Sequence, residues 1–366
     1  MIPFLDLRLA TTALRPYLDQ AVERVMTAGR YIGGEEVDAF ERDFAAYCGA
    51  RQAVGVGNGL DALALMLRAF DIGPGDEVIV PSNTYIATWL AVSMVGARVV
   101  PAEPDPRTYN LDANRVEAAV SERTRAVLAV HLYGQSADLR SLGQVCERRG
   151  IALLTDSAQA HGVALGEAQA AAFSFYPSKN LGALGDGGAV VTNDARVAQK
   201  VRMLANYGSR QRYFHEARGV NSRLDPLQAA LLGVKLRYLD EWNERRRAIA
   251  GRYGENLRGL PGLVLPYIVP GSKMVWHLFA ARRNERDRWV AELAAQGVDT
   301  LIHYPQPPHL SGAYRDLGFK AGDFPIAETI ANSELSLPLH PHLTDEQVER
   351  VIAAVQRTCA RAAGAA

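Results

Sequence analysis

The sequence predicts an α/β protein: a mostly parallel sheet of seven strands with helices on both faces, and a smaller α+β region toward the C-terminus. Three observations carry this. Between about residues 50 and 205, short apolar runs alternate with stretches of helical period, the pattern of strands joined by crossover helices. Several runs are aliphatic without interruption, Val-Ile-Val at 78–80, Ala-Val-Leu-Ala-Val at 126–130 and Ile-Ala-Leu-Leu at 151–154, as strands covered on both faces must be. Beyond residue 260 the strict alternation gives way to sparser strand and helix patterns.

Taken in order, residues 16–48 read as two helices around the turn Tyr31-Ile32-Gly33-Gly34. Strands are expected at 53–56, 77–80, 98–101, 126–130, 151–154, 172–175 and 189–192. Helices are expected at 59–70, 84–95, 112–120, 138–149 and 194–206. Residues 225–258 read as one long helix, with the charged run 240–247 as a solvated face. A strand at 276–282, a helix at 285–296, a strand near 300–303 and a final helix at 344–362 follow. The expected division is a large domain, 1–245, including the N-terminal helices, and a small domain, 246–366.

Bulk properties narrow the function. Forty Lys and Arg balance forty Asp and Glu, which argues against a nucleic-acid protein with its basic excess. The three cysteines, Cys48, Cys146 and Cys359, form no CxxC pair, so neither a metal site nor a disulfide framework is expected. Free thiols suit a reducing compartment. The start, MIPFLDLRLA, lacks the basic-then-apolar order of a secretory leader. No apolar run approaches the ~20 residues that span a bilayer. A cytoplasmic protein without membrane partners is the expectation.

Three motifs carry chemistry. Gly-Val-Gly-Asn-Gly-Leu-Asp-Ala-Leu at 55–63 follows a strand and opens a helix. Small residues there let backbone N–H groups approach a phosphate at the helix N-terminus. A dinucleotide fingerprint would need glycine at position 60, where Leu60 stands. Alone, the motif fits a phosphate cradle or a plain tight turn. The second motif, Thr-Asp-Ser-Ala-Gln-Ala-His at 155–161, follows the strand at 151–154. Asp156 is thus at a carboxyl strand end, where open sheets bind ligands, although helix capping is also open to it. The third, Ala-Phe-Ser-Phe-Tyr-Pro-Ser-Lys-Asn at 172–180, precedes a glycine-rich stretch. A lysine in a cleft of that kind can have a depressed pKa and act as a Schiff-base amine. Together the three supply what pyridoxal 5'-phosphate needs: a lysine (Lys179), a carboxylate for its ring nitrogen (Asp156) and backbone donors for its phosphate.

The resemblance becomes specific over longer stretches. IPFLDL (2–7), PSNTYIATWLAVS (81–93), HLYGQ (131–135), DSAQAH (156–161), FSFYPSKNLGALGDGG (173–188), NYGSR (206–210), NSRLDPLQAA (221–230) and HYPQPPHL (303–310) resemble the DegT/DnrJ/EryC1/StrS family of sugar aminotransferases, a fold-type-I branch of the pyridoxal-phosphate enzymes. The resemblance covers nearly the whole chain. It implies Lys179 as Schiff-base lysine and proton shuttle, Asp156 on the pyridinium and Gln159 on the 3-oxygen side. It further implies Tyr85 on the ring face and Gly59, Leu60 and Ser174 on the phosphate. Asn221 would reach the phosphate from the other subunit of a homodimer. Tyr31, Tyr176, Tyr207, His303 and Tyr304 become candidates for the sugar nucleotide and Arg210 for a diphosphate oxygen, with packing or a surface ion pair as the alternative for each. The implied reaction moves the amino group of L-glutamate to the C3 ketone of a dTDP-3-keto-6-deoxyhexose. C4 enzymes of the family often carry a GEGG-type segment where this chain has Gly185-Asp186-Gly187-Gly188. A C4 aminotransferase and a non-catalytic regulatory protein of the same fold are the alternatives. A dehydratase with histidine at the lysine position is argued against by Lys179. The chain departs from the family pattern at 162–172, a short stretch without a basic residue, which predicts a shortened hairpin near the site.

Overall fold

The computed structural model describes residues 1–363. Three helices open the chain: α1 (Leu7–Ala13), α2 (Arg15–Ala28) and α3 (Glu35–Tyr47). The central strands are β1 (Gln52–Val56), β2 (Glu77–Pro81), β3 (Arg98–Ala102), β4 (Thr124–Val130), β5 (Ala152–Asp156), β6 (Ala170–Ser174) and β7 (Gly188–Thr192). Between and after them come α4 (Gly59–Ala69), α5 (Ile86–Met94), α6 (Ala113–Ala119), α7 (Leu139–Arg149) and α8 (Ala195–Ala205). The remainder is β8 (Ser209–Gln211), β9 (Phe214–His215), α9 (Pro226–Leu236), α10 (Leu239–Asn256), β10 (Phe279–Arg282), α11 (Arg286–Ala294), α12 (Pro325–Ser333), β11 (Glu334–Leu337) and α13 (Asp345–Ala363).

The sheet order is β1-β7-β6-β5-β4-β2-β3. Pairing is parallel from β6 through β5, β4 and β2 to β3, while β7 runs against both β6 and β1. The expected mostly parallel sheet is therefore present. Its aliphatic runs have a simple cause. Successive side chains point to opposite faces, and each face has its own core. Ile79, Val127, Leu153, Phe173 and Val191 pack with Phe40 and Phe44 of α3, Leu142 of α7 and Leu232 of α9. Their neighbours Val78, Val80, Ala126, Leu128, Leu154, Ala172 and Val190 pack with Leu65 of α4, Trp89 of α5 and Val201 of α8. A third core joins Ile2 to Ile249 and Tyr253 of α10, Phe279 of β10, Trp289 of α11, Leu337 of β11 and Val351 of α13. Cys48, Cys146 and Cys359 are buried free thiols.

Several local expectations are corrected. The long helix at 225–258 is two helices, because Tyr238 turns onto α2, where its ring lies 6.3 Å from that of Tyr17. The run 240–247 is not only a solvated face: Asn243 and Arg246 point inward and are almost wholly buried. The strand expected at 276–282 is confined to β10, because the N–H groups of Val275 and His277 bond Gly134 and Tyr133 carbonyls instead. Near 300–303 there is only a bridge of Leu301 to Ser336, since the His303 N–H is taken by the Glu334 carboxylate. The stretch 162–172 forms no hairpin: it is a compact connection into β6 in which the Leu165 N–H bonds the Cys48 carbonyl. The sequence reading missed α1, α12, β8, β9 and β11.

Candidate active site

The carboxyl ends of β4, β5 and β6 lie side by side, the place where open α/β sheets collect ligands. Asp156 ends β5 and is buried. One of its carboxylate oxygens accepts from Thr88 Oγ1 of α5 at 2.8 Å, and the other from the Ala158 N–H at 3.1 Å. Thr88 is itself paired with Thr84 Oγ1 at 2.9 Å. Burial raises the pKa of Asp156, against the pull of those two hydrogen bonds and of the Lys179 charge. A buried carboxylate oriented by neutral donors alone is built to receive a cation.

Lys179 lies in the loop between β6 and β7. The loop is closed by bonds from the Phe175 N–H to the Gly187 carbonyl and from the Ala183 N–H to the Phe175 carbonyl. Its tightness requires Gly182, where an added Cβ would fall 2.3 Å from the Pro177 oxygen. Lys235 Nζ of α9 ties the Gly182 carbonyl at 2.6 Å. On the other side of the lysine, Asn180 is clamped: its amide donates to Asn243 Oδ1 and to the Val275 carbonyl, each at 2.9 Å, and its oxygen meets His277 Nδ1 at 3.0 Å. Lys179 Nζ itself has no hydrogen bond or ion pair among the described residues. Burial pulls its ammonium down to about 8, opposed by the Asp156 charge.

Gln159 is held at both ends of its amide. Its oxygen accepts from the Tyr133 N–H at 2.6 Å, and its nitrogen donates to Tyr304 Oη at 2.9 Å. The Tyr304 ring faces the half-exposed Tyr85 ring at 5.1 Å between centroids. Tyr304 is delivered by a segment pinned at His303, whose N–H donates to Glu334 at 2.6 Å, whose Nδ1 meets Ser336 Oγ at 2.9 Å and whose carbonyl accepts from Tyr133 Oη. Burial lowers the His303 imidazole to about 4 and raises the Glu334 carboxyl to about 8.

At the third corner, Asn58 caps α4, its side chain accepting from the Asp61 N–H at 2.8 Å. The Gly59 and Leu60 N–H groups are left without partners among the described residues. Gly59 abuts Ser174: a Cβ there would lie 2.5 Å from the serine Cβ. Two free helix N-terminal donors beside a serine hydroxyl make an anion cradle. Ser222 supports it, accepting from the Gly57 N–H at 3.0 Å and donating to Asp61 at 2.6 Å.

The predicted residues thus fall into two groups. Lys179, Asp156, Gln159, Tyr85, Gly59, Leu60, Ser174, His303 and Tyr304 gather around the carboxyl strand ends. Tyr31, Tyr176, Tyr207 and Asn221 are exposed on the single chain, and Arg210 pairs loosely with Glu216 at 3.6 Å. The sequence reading missed Thr88, Tyr133, Asn180, Asn243, His277 and Glu334. Thr88 was within reach, since it lies one helical turn after Thr84 behind Tyr85. The others announce themselves only through partners distant in the chain.

A model of the DegT/DnrJ/EryC1/StrS aminotransferase family matches residues 14–356. The chain belongs to this family. It is 54% identical over 97% of its length to the erythromycin biosynthesis sensory transduction protein EryC1 of Saccharopolyspora erythraea, 99% of which is covered. It is 51% identical to the dTDP-3-amino-3,6-dideoxy-alpha-D-galactopyranose transaminase of Aneurinibacillus thermoaerophilus, with 98% of this chain and 99% of that one covered. The crystal structure of Streptomyces venezuelae DesV in complex with a ketimine intermediate superposes with a TM-score of 0.96 at 52% identity, covering 98% of each chain. NtdA of Bacillus subtilis with bound cofactor PMP gives 0.93 at 29% identity, covering 98% of this chain and 85% of that one. The fold is that of the type I pyridoxal-phosphate transferases.

Proposed function

We propose that this protein is a pyridoxal-phosphate aminotransferase that moves the amino group of L-glutamate to the C3 ketone of a dTDP-3-keto-6-deoxyhexose. The observation that carries this reading is the unpaired Lys179 ammonium near Asp156, a buried carboxylate held by neutral donors alone. These residues fit the cofactor in detail. Asp156 would take the ring N–H, Gln159 the 3-oxygen side and Tyr85 the ring face. The free Gly59 and Leu60 N–H groups and Ser174 would take the phosphate, joined by Asn221 of the partner subunit in a homodimer. Tyr31, Tyr176, Tyr207, Tyr213 and Phe214, each more than half exposed on the single chain, are aromatic side chains available to such a dimer and to the sugar nucleotide. Arg210 is the candidate for a diphosphate oxygen. A division at residue 245, with the cofactor held by the N-terminal part, and a cytoplasmic location complete the reading.

Bound there, pyridoxal phosphate supplies an electron sink that eases removal of a proton from the carbon beside the transferred nitrogen. The protein does the rest. Asp156, a carboxylate with hydrogen bonds to both oxygens, would hold a cationic ring nitrogen. Lys179 Nζ, near half deprotonated at mildly alkaline pH, would be the base that takes the proton from the donor carbon and the acid that gives it back. In the second half-reaction it runs the same transfer backwards on the sugar, which gives ping-pong kinetics. Tyr304 and Gln159 brace each other through the Gln159 amide nitrogen.

The Aneurinibacillus relative supports the C3 assignment by its named product, while the Saccharopolyspora relative, of similar identity, carries a sensory name. The intact Lys179 and Asp156 favour catalysis over regulation. The test is incubation of the purified protein with L-glutamate and the dTDP-3-keto sugar, with NMR of the product. An amino group at C3 is expected. One at C4 corrects the regiochemistry, and no turnover favours the regulatory alternative. Lys179→Ala should lose both the visible absorption of the bound cofactor and turnover.

A further inference from the structure

A cavity of about 270 Å³ lies behind the catalytic loop, lined in part by Ser178, Arg246, His277, Asp299, Leu301 and His303. It shares Ser178 with the loop that carries Lys179 and His303 with the segment that carries Tyr304. Its floor is unusual. Arg246 is 4% exposed and forms no ion pair among the described residues. All of its hydrogen bonds leave from one nitrogen, Nη1, to the Leu339 carbonyl at 2.7 Å and more weakly to those of Trp276 and His277. Its Nε is buried without a partner, and among the described residues no hydrogen bond leaves its Nη2. The unused pair, Nε and Nη2, is one of the two edges with which a guanidinium grips a carboxylate through two parallel bonds.

The surrounding charge points the same way. The charges of Lys179 and Arg246 both bear on His277, and burial keeps His277 and His303 neutral. His277 Nδ1 is committed to the Asn180 oxygen, so its proton sits there and the ring adds no charge to the cavity. Asp299 is exposed at the rim, and its oxygens accept from the Phe4 and Thr300 N–H groups. Among the described residues the enclosed charge of Arg246 has no anion to meet it, and the Lys179 charge adds to it, a state that favours an anionic ligand.

We infer that Arg246 forms a subsite for a carboxylate of the amino donor, selecting an acidic amino acid over neutral ones. This rests on the aminotransferase reading for its biological sense, but not for its test. The test is calorimetric titration of the cofactor-loaded protein with glutarate, a dicarboxylate that has no amino group to transfer. Two variants are compared with the wild type. Arg246→Lys keeps the charge and loses the flat fork. Leu301→Glu puts a carboxylate at the cavity mouth while leaving the Arg246 carbonyl bonds and the Leu301 backbone bridge in place, so it keeps the test valid if Arg246→Lys fails to fold. Glutarate affinity should fall at least about tenfold in Leu301→Glu and in any folded Arg246→Lys, the loss of roughly one charge-assisted bond. Affinity for dTDP, measured in the same samples, should not change. Glutarate binding with wild-type affinity in Leu301→Glu, or no glutarate binding to the wild type at all, overturns the subsite even if amination of the sugar proceeds. Glutarate binding that the variants weaken, in a protein that never aminates a sugar, leaves the subsite standing and removes only the reaction proposed for it.

Discussion

Lys179 makes a quantitative prediction about stability. Its ammonium ordinarily titrates at 10.5 and is brought down to about 8 by burial in the folded protein. At about 1.4 kcal/mol per pH unit, this corresponds to roughly 3 kcal/mol of destabilisation. The sign follows from proton counting. Between 8 and 10.5 the unfolded chain binds the proton and the folded chain does not, so folding is opposed. The full cost is present below about pH 8 and disappears as pH rises to 10.5. Replacement by methionine, of similar length and uncharged, removes it. Cofactor-free wild type and Lys179→Met should be unfolded in urea at a series of pH values from 7 to 10.5. The variant should be the more stable by about 3 kcal/mol at pH 7, with the gap closing toward pH 10.5. The change in the gap is the decisive quantity, because packing differences between the side chains do not titrate. A gap that stays constant across that range would show that Lys179 is not desolvated in the folded chain, and the account of its reactivity would fall with it.

Other consequences can be checked as directly. Uptake of pyridoxal phosphate by the cofactor-free protein needs the neutral amine, so its rate should rise with pH below about 8 and level off above, as followed by absorbance. Asp156→Asn keeps the shape of the site but removes the charge facing the ring nitrogen; kcat should fall by about a hundredfold or more while cofactor is still retained, as judged by spectrum after gel filtration. Gly59→Ala places a methyl group 2.5 Å from the Ser174 Cβ and must open the phosphate cradle; equilibrium dialysis should show cofactor affinity weakened by at least about tenfold. Glu334, raised by burial from 4.5 to about 8, binds its proton more tightly folded than unfolded, so stability should drop as pH rises through that window, and Glu334→Gln should flatten the drop in urea unfolding.

The reach of the sequence differs from one part of the molecule to another. The central sheet was legible because most of its strands are short aliphatic runs, the pattern expected of strands buried on both faces. Lys179, Asp156 and Gly59 were legible for a related reason: each sits at or just past the end of a strand, so the local pattern already places it at the ligand-binding edge. The small region was harder to read. Glu-Leu-Ser-Leu of β11 follows α12 with no turn residue between, and its partner β10 lies over 50 residues away.

What the sequence by itself determined is the fold class and the family pattern, and it named the candidates for the cofactor-facing residues. What only the tertiary structure decided is how those residues are held. Thr88 reaches Asp156 across 68 positions, Tyr304 reaches Gln159 across 145, and Asn180 reaches His277 across 97. Arg246 stands in a run of charges that reads as solvent-facing, yet α10 crosses from the first core to the third and turns that arginine inward. Hydrophobic periodicity reports which face of an element is buried. It does not report which polar group from a distant element will be waiting there, because that depends on how the cores pack against one another.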